Sequence, residues 1–295
     1  YIMGTVLRHG SAEQKERYLP HIADGSLRLQ AFGVTEPEAG SETTRIRTRA
    51  EQVPEGWRIN GQKIWTSRAL YSDLMLLLAR TTPIEECAKP TDGLSVFLFD
   101  MRAAEGITIN PIRTMMNHNT TEVFFDDVVI PADSLVGEAG KGFRYILDGM
   151  NAERILIASE CIGDGRFLLE RAVAYANTRE VFGRPIGANQ GVQFPLARAY
   201  ASLRAADLVR FDAAARYDRK EKCAAEANMA KLLASEASWQ AANAALDAHG
   251  GFGFAVEYDI ERKFRETRLY QVAPINNNLV LAFLGQHVLG LPKSY

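Results

Sequence analysis

The chain has 295 residues, 47% hydrophobic and 24% charged, with a formal net charge of −2, which excludes disorder and collagen-like repeats and shows no basic excess for nucleic-acid binding. At about 150 residues per domain, the length suggests two domains. The longest strongly apolar runs, Leu74–Ala79 and Leu279–Leu284, are six residues each, far short of the ~20 that a membrane-spanning helix needs. Cys87, Cys161 and Cys223 are an odd set with no CxxC spacing, and the five histidines form no HExxH. A disulfide framework and a zinc site are therefore not expected, and a reducing cytoplasm is the simplest compartment.

In chain order, residues 1–30 read as a helical lead-in, with one helix over Met3–Ile22 closed by Pro20. The chain starts at Tyr1 without methionine, and further helical residues are expected upstream. Residues 31–133 are rich in Thr, Val, Phe, Trp and Pro. Here Asn60-Gly61 between Trp57-Arg58-Ile59 and Lys63-Ile64-Trp65 predicts a hairpin turn. Asp73–Arg80, Leu94–Asp100 and Thr121–Val129 predict strands, punctuated by Pro111 and Pro131. Residues 134–295 predict four helices, at 142–178, 189–219, 223–248 and 275–289. In the third, Ala225, Met229, Leu232, Trp239 and Leu246 form a stripe interrupted by Glu236 and Asn243. The expected fold is α+β: a short N-terminal helical remnant, a central antiparallel β-barrel or sandwich and a C-terminal four-helix bundle. There is no βαβ alternation.

Neither GxGxxG after a strand nor GxxxxGK[ST] occurs, so classical dinucleotide and P-loop binding lack support. The octet Val34-Thr35-Glu36-Pro37-Glu38-Ala39-Gly40-Ser41 could offer donors to a ligand, or could simply be a turn made by Pro37 and Gly40.

That octet, with Asn60-Gly61-Gln62-Lys63-Ile64-Trp65-Thr66-Ser67, resembles the acyl-CoA dehydrogenase family. So do Thr178-Arg179-Glu180-Val181-Phe182-Gly183-Arg184-Pro185-Ile186, Asn189-Gln190 and His249-Gly250-Gly251-Phe252-Gly253. The segments follow the family's order and approximate spacing across essentially the whole chain. The resemblance implies FAD as cofactor, with Phe32, Val34 and Thr35 along the flavin ring, Trp65 packed against it and Ser67 reaching its edge or phosphates. It implies further cofactor contacts at Arg179, Gln190, Gly250, Gly251, Asn276 and Asn278, with Arg179 serving the flavin of a neighbouring subunit. Ser41 and Arg154 would contact the coenzyme A substrate. From the residues alone, Trp65 could equally be a core tryptophan, Arg179 a cation at a helix C-terminus and Gly250-Gly251 a helix stop.

The implied reaction removes a proton beside a thioester and a hydride from the next carbon, which requires a carboxylate in a dry pocket. Many members carry this glutamate after a C-terminal tyrosine segment, which here is Arg268-Leu269-Tyr270-Gln271-Val272-Ala273-Pro274, and the expected position falls on Pro274. The isovaleryl-CoA and long-chain acyl-CoA dehydrogenases place it instead in a Glu-Arg pair on a bundle helix, which Glu153-Arg154 matches. The bland alternative is an N-cap at Asn151 with Glu153 in the first turn. Pro274 also lacks the backbone N–H that polarises the thioester carbonyl in the family, so Ile275 N–H or a nearby donor is expected to replace it. The resemblance thus implies dehydrogenation of an acyl-CoA to a trans-2-enoyl-CoA, as in fatty-acid β-oxidation. It also implies electron exit to an electron-transfer flavoprotein, a homotetramer or homodimer, and a mitochondrial matrix location were the source eukaryotic. A flavin monooxygenase or oxidase on the same fold, and a non-catalytic acyl-CoA-binding protein, are the alternatives.

Overall fold

The computed structural model describes residues 2–116 and 119–293; Tyr1 and Tyr295, the outer limits of the first and last predicted regions, lie outside them. The chain forms two compact units, Tyr1–Met150 and Asn151–Tyr295, so the boundary expected at 133/134 falls inside the first. Among the described residues, no helix is long and apolar enough to cross a membrane.

The first unit begins with α1 (Ile2–His9) and α2 (Ala12–Ala23). The single helix read from sequence breaks at Gly10-Ser11 because Ser11 starts a new one. Its Oγ accepts from Gln14 N and its N–H donates to Gln14 Oε1, both at 3.1 Å, a reciprocal cap that satisfies two otherwise orphaned donors. Pro20 lies inside α2 and does not end it. Gln14 Nε2 also donates to Asp133 O (2.7 Å) and Leu135 O (3.0 Å), tying α2 to the end of the β region.

Eight strands follow: β1 (Leu29–Gly33), β2 (Arg49–Val53), β3 (Gly56–Ser67), β4 (Leu74–Arg80), β5 (Leu94–Asp100), β6 (Ile107–Ile112), β7 (Thr120–Ile130) and β8 (Leu135–Val136). They form one sheet in the order β6-β7-β3-β2-β4-β5-β8, with β1 on β4. Pairing is antiparallel except for β1 and a single β2 residue, which run parallel to β4. Among the described residues no ladder joins β6 to β8, so the strands do not close into the hydrogen-bonded ring of a barrel. Every residue of β4 is buried. Met75, Leu77 and Ala79 face one core with Ile59, Phe97, Phe99 and Val123, while Leu74, Leu76 and Leu78 face a second with Val6, Leu94 and Ile146. Burial on both faces is why this strand reads as an unbroken apolar run rather than an alternation.

Asn60-Gly61 is not a hairpin turn. β3 runs straight through it, and Pro54-Glu55 makes the turn from β2. The extra residue lies on β7, where Asp127 has φ +49, and Asn60 serves that bulge by donating to Asp127 Oδ1 and accepting from Asp127 N, each at 3.0 Å. Gly61 is needed because a Cβ there would sit 2.6 Å from Thr48 Cα.

The second unit holds the rest of α3 (Gly142–Thr178), a short hairpin β9 (Glu180–Val181) and β10 (Arg184–Pro185), then α4 (Gln190–Asp218), α5 (Ala224–His249), α6 (Ile260–Leu269) and α7 (Asn277–Phe283). Residues of α3, α4, α5 and α6 share one core. The expected stripe is not the buried face of α5. Ala227, Ala230, Ala234, Ala237, Ala241, Ala242, Ala244 and Ala245 are buried with Ser235 and Ser238, whereas Trp239 and Leu246 are only half-buried. Small residues let neighbouring helices approach on nearly every side. The mostly charged α6 lacked an apolar signal. It is held by Lys263 to Asp164 (2.6 Å) and by Phe264 against Trp239, and Lys263 also pairs with Glu266 (2.9 Å) within the helix. The last predicted helix is α7, capped by Asn276 Oδ1 accepting from Leu279 N at 2.9 Å, and it runs into a wider turn over Leu284–Val288.

Candidate functional site

In the first unit the candidate residues gather where β1 ends and β3 ends. Thr35 O accepts from Ile64 N at 2.9 Å, joining the octet to β3. Beneath it, Lys63 is fully buried; its Nζ donates to Val34 O (3.0 Å) and Glu36 Oε1 (2.8 Å). Glu36 also accepts from Arg47 N (2.6 Å) and Thr48 N (2.8 Å). Burial pushes the Glu36 carboxyl up, but the Lys63 charge and these hydrogen bonds outweigh it and hold the group below the usual carboxylate range. The turn at Glu36–Ala39 expected from Pro37 and Gly40 is present, closed by hydrogen bonds in both directions. The buried pair fixes its entry.

Beyond Lys63, β3 carries one residue more than β7, a bulge at Ile64-Trp65. Trp65 takes φ +60 and its side chain is 56% exposed. The core-tryptophan alternative is therefore wrong: the bulge turns the indole outward, and on the same two strand ends Ser67 is exposed and Phe32, Val34 and Thr35 are half-buried. Positive φ at a bulky residue costs of order 1–3 kcal/mol and concentrates at functional sites. Ser41 lies exposed just after the turn.

In the second unit the candidates form two groups. At the end of α3, Arg179 is exposed and its guanidinium makes no ion pair among the described residues. Gln190, also exposed, opens α4. The α3 residue Tyr175 stacks on His249 (4.4 Å between ring centroids), which brings the α5 terminus here. Gly250 caps α5 at φ +56, and nothing lies within 4 Å of a Cβ built on Gly250 or Gly251. Their backbone is thus both a helix stop and open to a ligand. A guanidinium without an ion pair and a glycine backbone that a ligand can approach closely suit a pyrophosphate.

The other group surrounds Glu153, whose side chain is buried at 5% exposure. The first-turn alternative fails because α3 starts at Gly142, placing Asn151 and Glu153 well inside the helix, beyond the reach of its dipole. Asn151 instead accepts from Arg154 Nη1 at 3.1 Å. Arg154 Nε is buried with no hydrogen-bond partner among the described residues. Burial pulls its pKa down, and the Glu153 charge pushes it up. An unpaired buried guanidinium N–H is a donor held ready for a polar ligand group.

Sequence reasoning gave Lys231 no role. This fully buried α5 lysine donates to Ile275 O and Asn277 Oδ1, both at 2.7 Å. It grips the segment after the cis Ala273–Pro274 bond, where the family's C-terminal base would stand. Burial brings its pKa down to about 8. Asn276 spends its side-chain oxygen on capping α7, and Asn278 is exposed on the first turn of that helix. Among the described residues no cluster of His, Cys, Asp and Glu could hold a metal. From Glu153 to the end of α3 is 25 residues, about 38 Å at 1.5 Å each.

The description "Acyl-CoA dehydrogenase, middle domain" matches residues 31–128, and "Acyl-CoA dehydrogenase, C-terminal domain" matches residues 140–287. The chain is 40% identical over 300 residues to acyl-CoA dehydrogenase FadE12 of Mycobacterium tuberculosis, covering 100% of this chain and 76% of that one. It is 33% identical over 272 residues to the caffeyl-CoA reductase-Etf complex subunit CarC of Acetobacterium woodii, covering 91% and 70%. Among solved structures, a glutaryl-coenzyme A dehydrogenase in complex with glutaryl-CoA aligns with TM-score 0.92 at 30% identity, covering 98% and 73%. The prolyl acyl carrier protein oxidase AnaB aligns with TM-score 0.91 at 27% identity, covering 98% and 75%.

Proposed function

Since the chain belongs to the acyl-CoA dehydrogenase family, we propose that it is an FAD-dependent oxidoreductase converting an acyl-CoA to a trans-2-enoyl-CoA, with Glu153 as the base. The observation that carries this is the burial of Glu153 in mid-helix beside Arg154, where helix stability offers no reason for a carboxylate. The exposed Trp65, the open Gly250-Gly251 backbone and the unpaired Arg179 fit a flavin dinucleotide. Phe32, Val34, Thr35, Trp65 and Ser67 would hold one cofactor. Arg179, about 38 Å along α3 from Glu153, would with Gln190, Gly250 and Gly251 hold the copy belonging to another subunit of a dimer or tetramer. Asn276 and Asn278 would contribute from α7.

Bound flavin supplies a hydride acceptor. Glu153 takes the proton from the carbon beside the thioester carbonyl, and the electron pair of that C–H bond becomes the new C=C bond as hydride leaves the next carbon. Desolvation raises the proton affinity of a carboxylate and so suits it to this work. Arg154 and Ser41 would bind the coenzyme A portion. Ile275 N–H donates to no group among the described residues and would serve the thioester oxygen that Pro274 cannot. Electrons would pass to an electron-transfer flavoprotein in fatty-acid oxidation. The three free cysteines favour a reducing cytoplasm.

Glu153→Gln tests the assignment. It keeps size and hydrogen bonding but cannot take the proton, so stopped-flow flavin reduction by acyl-CoA is expected to slow about 10²–10⁴-fold with FAD and acyl-CoA still bound. Near-normal reduction would reject Glu153. Pro274 favours a second reading, an oxidase or monooxygenase. Anaerobic bleaching by acyl-CoA supports the dehydrogenase, whereas turnover that requires oxygen supports the alternative. Binding without bleaching would mark a non-catalytic protein.

A further inference from the structure

A lysine amine sealed from water is expensive to keep charged, so its partners must justify its presence. Lys231 spends two hydrogen bonds on a single short segment. One goes to the Ile275 carbonyl and one to Asn277 Oδ1, each at 2.7 Å. Asn277 is braced in turn, because its Nδ2 donates to Ser235 Oγ at 3.2 Å, and Ser235 Oγ donates to Leu232 O at 2.9 Å. The clamp therefore ties residues 275–277 to one turn of α5, the most enclosed helix of the unit. A second anchor comes from Asn277 N, which donates to Gln271 O at 3.0 Å. The Ile275 carbonyl and the Asn277 amide fix the two peptide planes that follow Ile275, and the ring of Pro274 fixes φ just before it, so the Pro274–Ile275 plane that carries Ile275 N–H is constrained at both ends. That N–H is left without a protein acceptor among the described residues, next to a proline that has no N–H to offer.

We infer that Lys231, braced by Asn277, is a positioning residue that presents Ile275 N–H to the thioester carbonyl of the substrate. This rests on the dehydrogenase reading, in which that carbonyl needs a donor. A fixed donor accelerates enolisation because it need not reorganise as charge develops on the oxygen. Lys231 touches neither substrate nor cofactor in this role and acts through the backbone it holds.

The test reads carbonyl polarisation directly. Full-length FAD-loaded protein is mixed with a trans-2-enoyl-CoA carrying ¹³C at the thioester carbon, and the isotope-edited infrared band of the carbonyl is compared with that of the free ligand. Wild type is expected to shift the band to lower frequency. Lys231→Met should lose most of that shift and slow flavin reduction by saturating acyl-CoA at least about 10-fold, approaching the ~10²–10³-fold of removing a preorganised donor outright, with FAD content retained and ligand affinity within about 3-fold. Lys231→Gln, which keeps a donor with shorter reach, should recover part of both. The full wild-type shift in folded Lys231→Met overturns the proposal and leaves the donor reading standing. No shift in wild type removes the donor reading itself. Should Lys231→Met fail to fold, Asn277→Ala carries the test: a band moved part of the way back supports the clamp, and an unchanged band overturns it.

Discussion

Lys63 and Glu36 form a buried ion pair whose value lies in what it holds. The ammonium spans Val34 O and Glu36, and the carboxylate spans the Arg47 and Thr48 amides, so three chain segments meet at one charge pair. Removing one partner strands the other charge without water. Lys63→Met is therefore expected to cost about 3–5 kcal/mol, measured by denaturant unfolding. Lys63→Met with Glu36→Gln should recover much of that loss, since no uncompensated charge remains. A loss in the double variant equal to the sum of the two single-variant losses would show that the pair is not coupled. Its inward direction was legible, because Lys63 shares the strand parity of buried Ile59. Trp65 was not. Its outward turn comes from a mismatch of register with β7, more than fifty residues on, and no local pattern announces a bulge of that kind. Glu153 was legible only through the family pattern; its burial and the length of helix before it decided between the two local readings.

Among the elements, strands buried on both faces and long helices followed from their composition, and the errors fell where a residue serves a distant neighbour. Asn60-Gly61 has the chemistry of a hairpin turn, yet Gly61 is there to let Thr48 pass and Asn60 to close the bulge at Asp127. Gly61→Ala would push its Cβ to 2.6 Å from Thr48 Cα at φ +146, and Thr48 N is a donor to Glu36. The expected cost is about 2–4 kcal/mol from overpacking and backbone strain, read as a lower denaturant midpoint with the slope unchanged. A change below about 1 kcal/mol, typical of Gly→Ala at an unstrained site, would mean that β2 and β3 separate easily. The charged α6 escaped notice because only Ile260 and Phe264 give it apolar contact with the core, and the Lys263–Asp164 ion pair does much of the holding.

For the whole molecule, the proposed reading has one chain serve two cofactors, with Arg179 far from Glu153 along α3. The β9–β10 hairpin next to Arg179 carries Phe182 at its tip, fully exposed at φ +53. A phenyl ring so displayed fits contact with a second copy of the chain. Arg179→Ala is expected to lower FAD retention through gel filtration and to shift sedimentation toward smaller species. Full FAD occupancy in a monomeric Arg179→Ala protein would refute the shared site. The two-part organisation showed in the change of composition along the chain. The division after Met150 did not, because α3 crosses it without a break.

The alanine and serine surface of α5 has a consequence for motion. A helix enclosed on almost every side by α3, α4 and α6 cannot release its amides by fraying or by a local swing, because each neighbour would have to leave first. Exchange of its amide hydrogens with solvent then requires opening of the entire second unit, and those amides report the global unfolding free energy of that unit. Lys231 is rooted in this slow-exchanging helix, so the segment it holds would be anchored to the part of the unit that moves least.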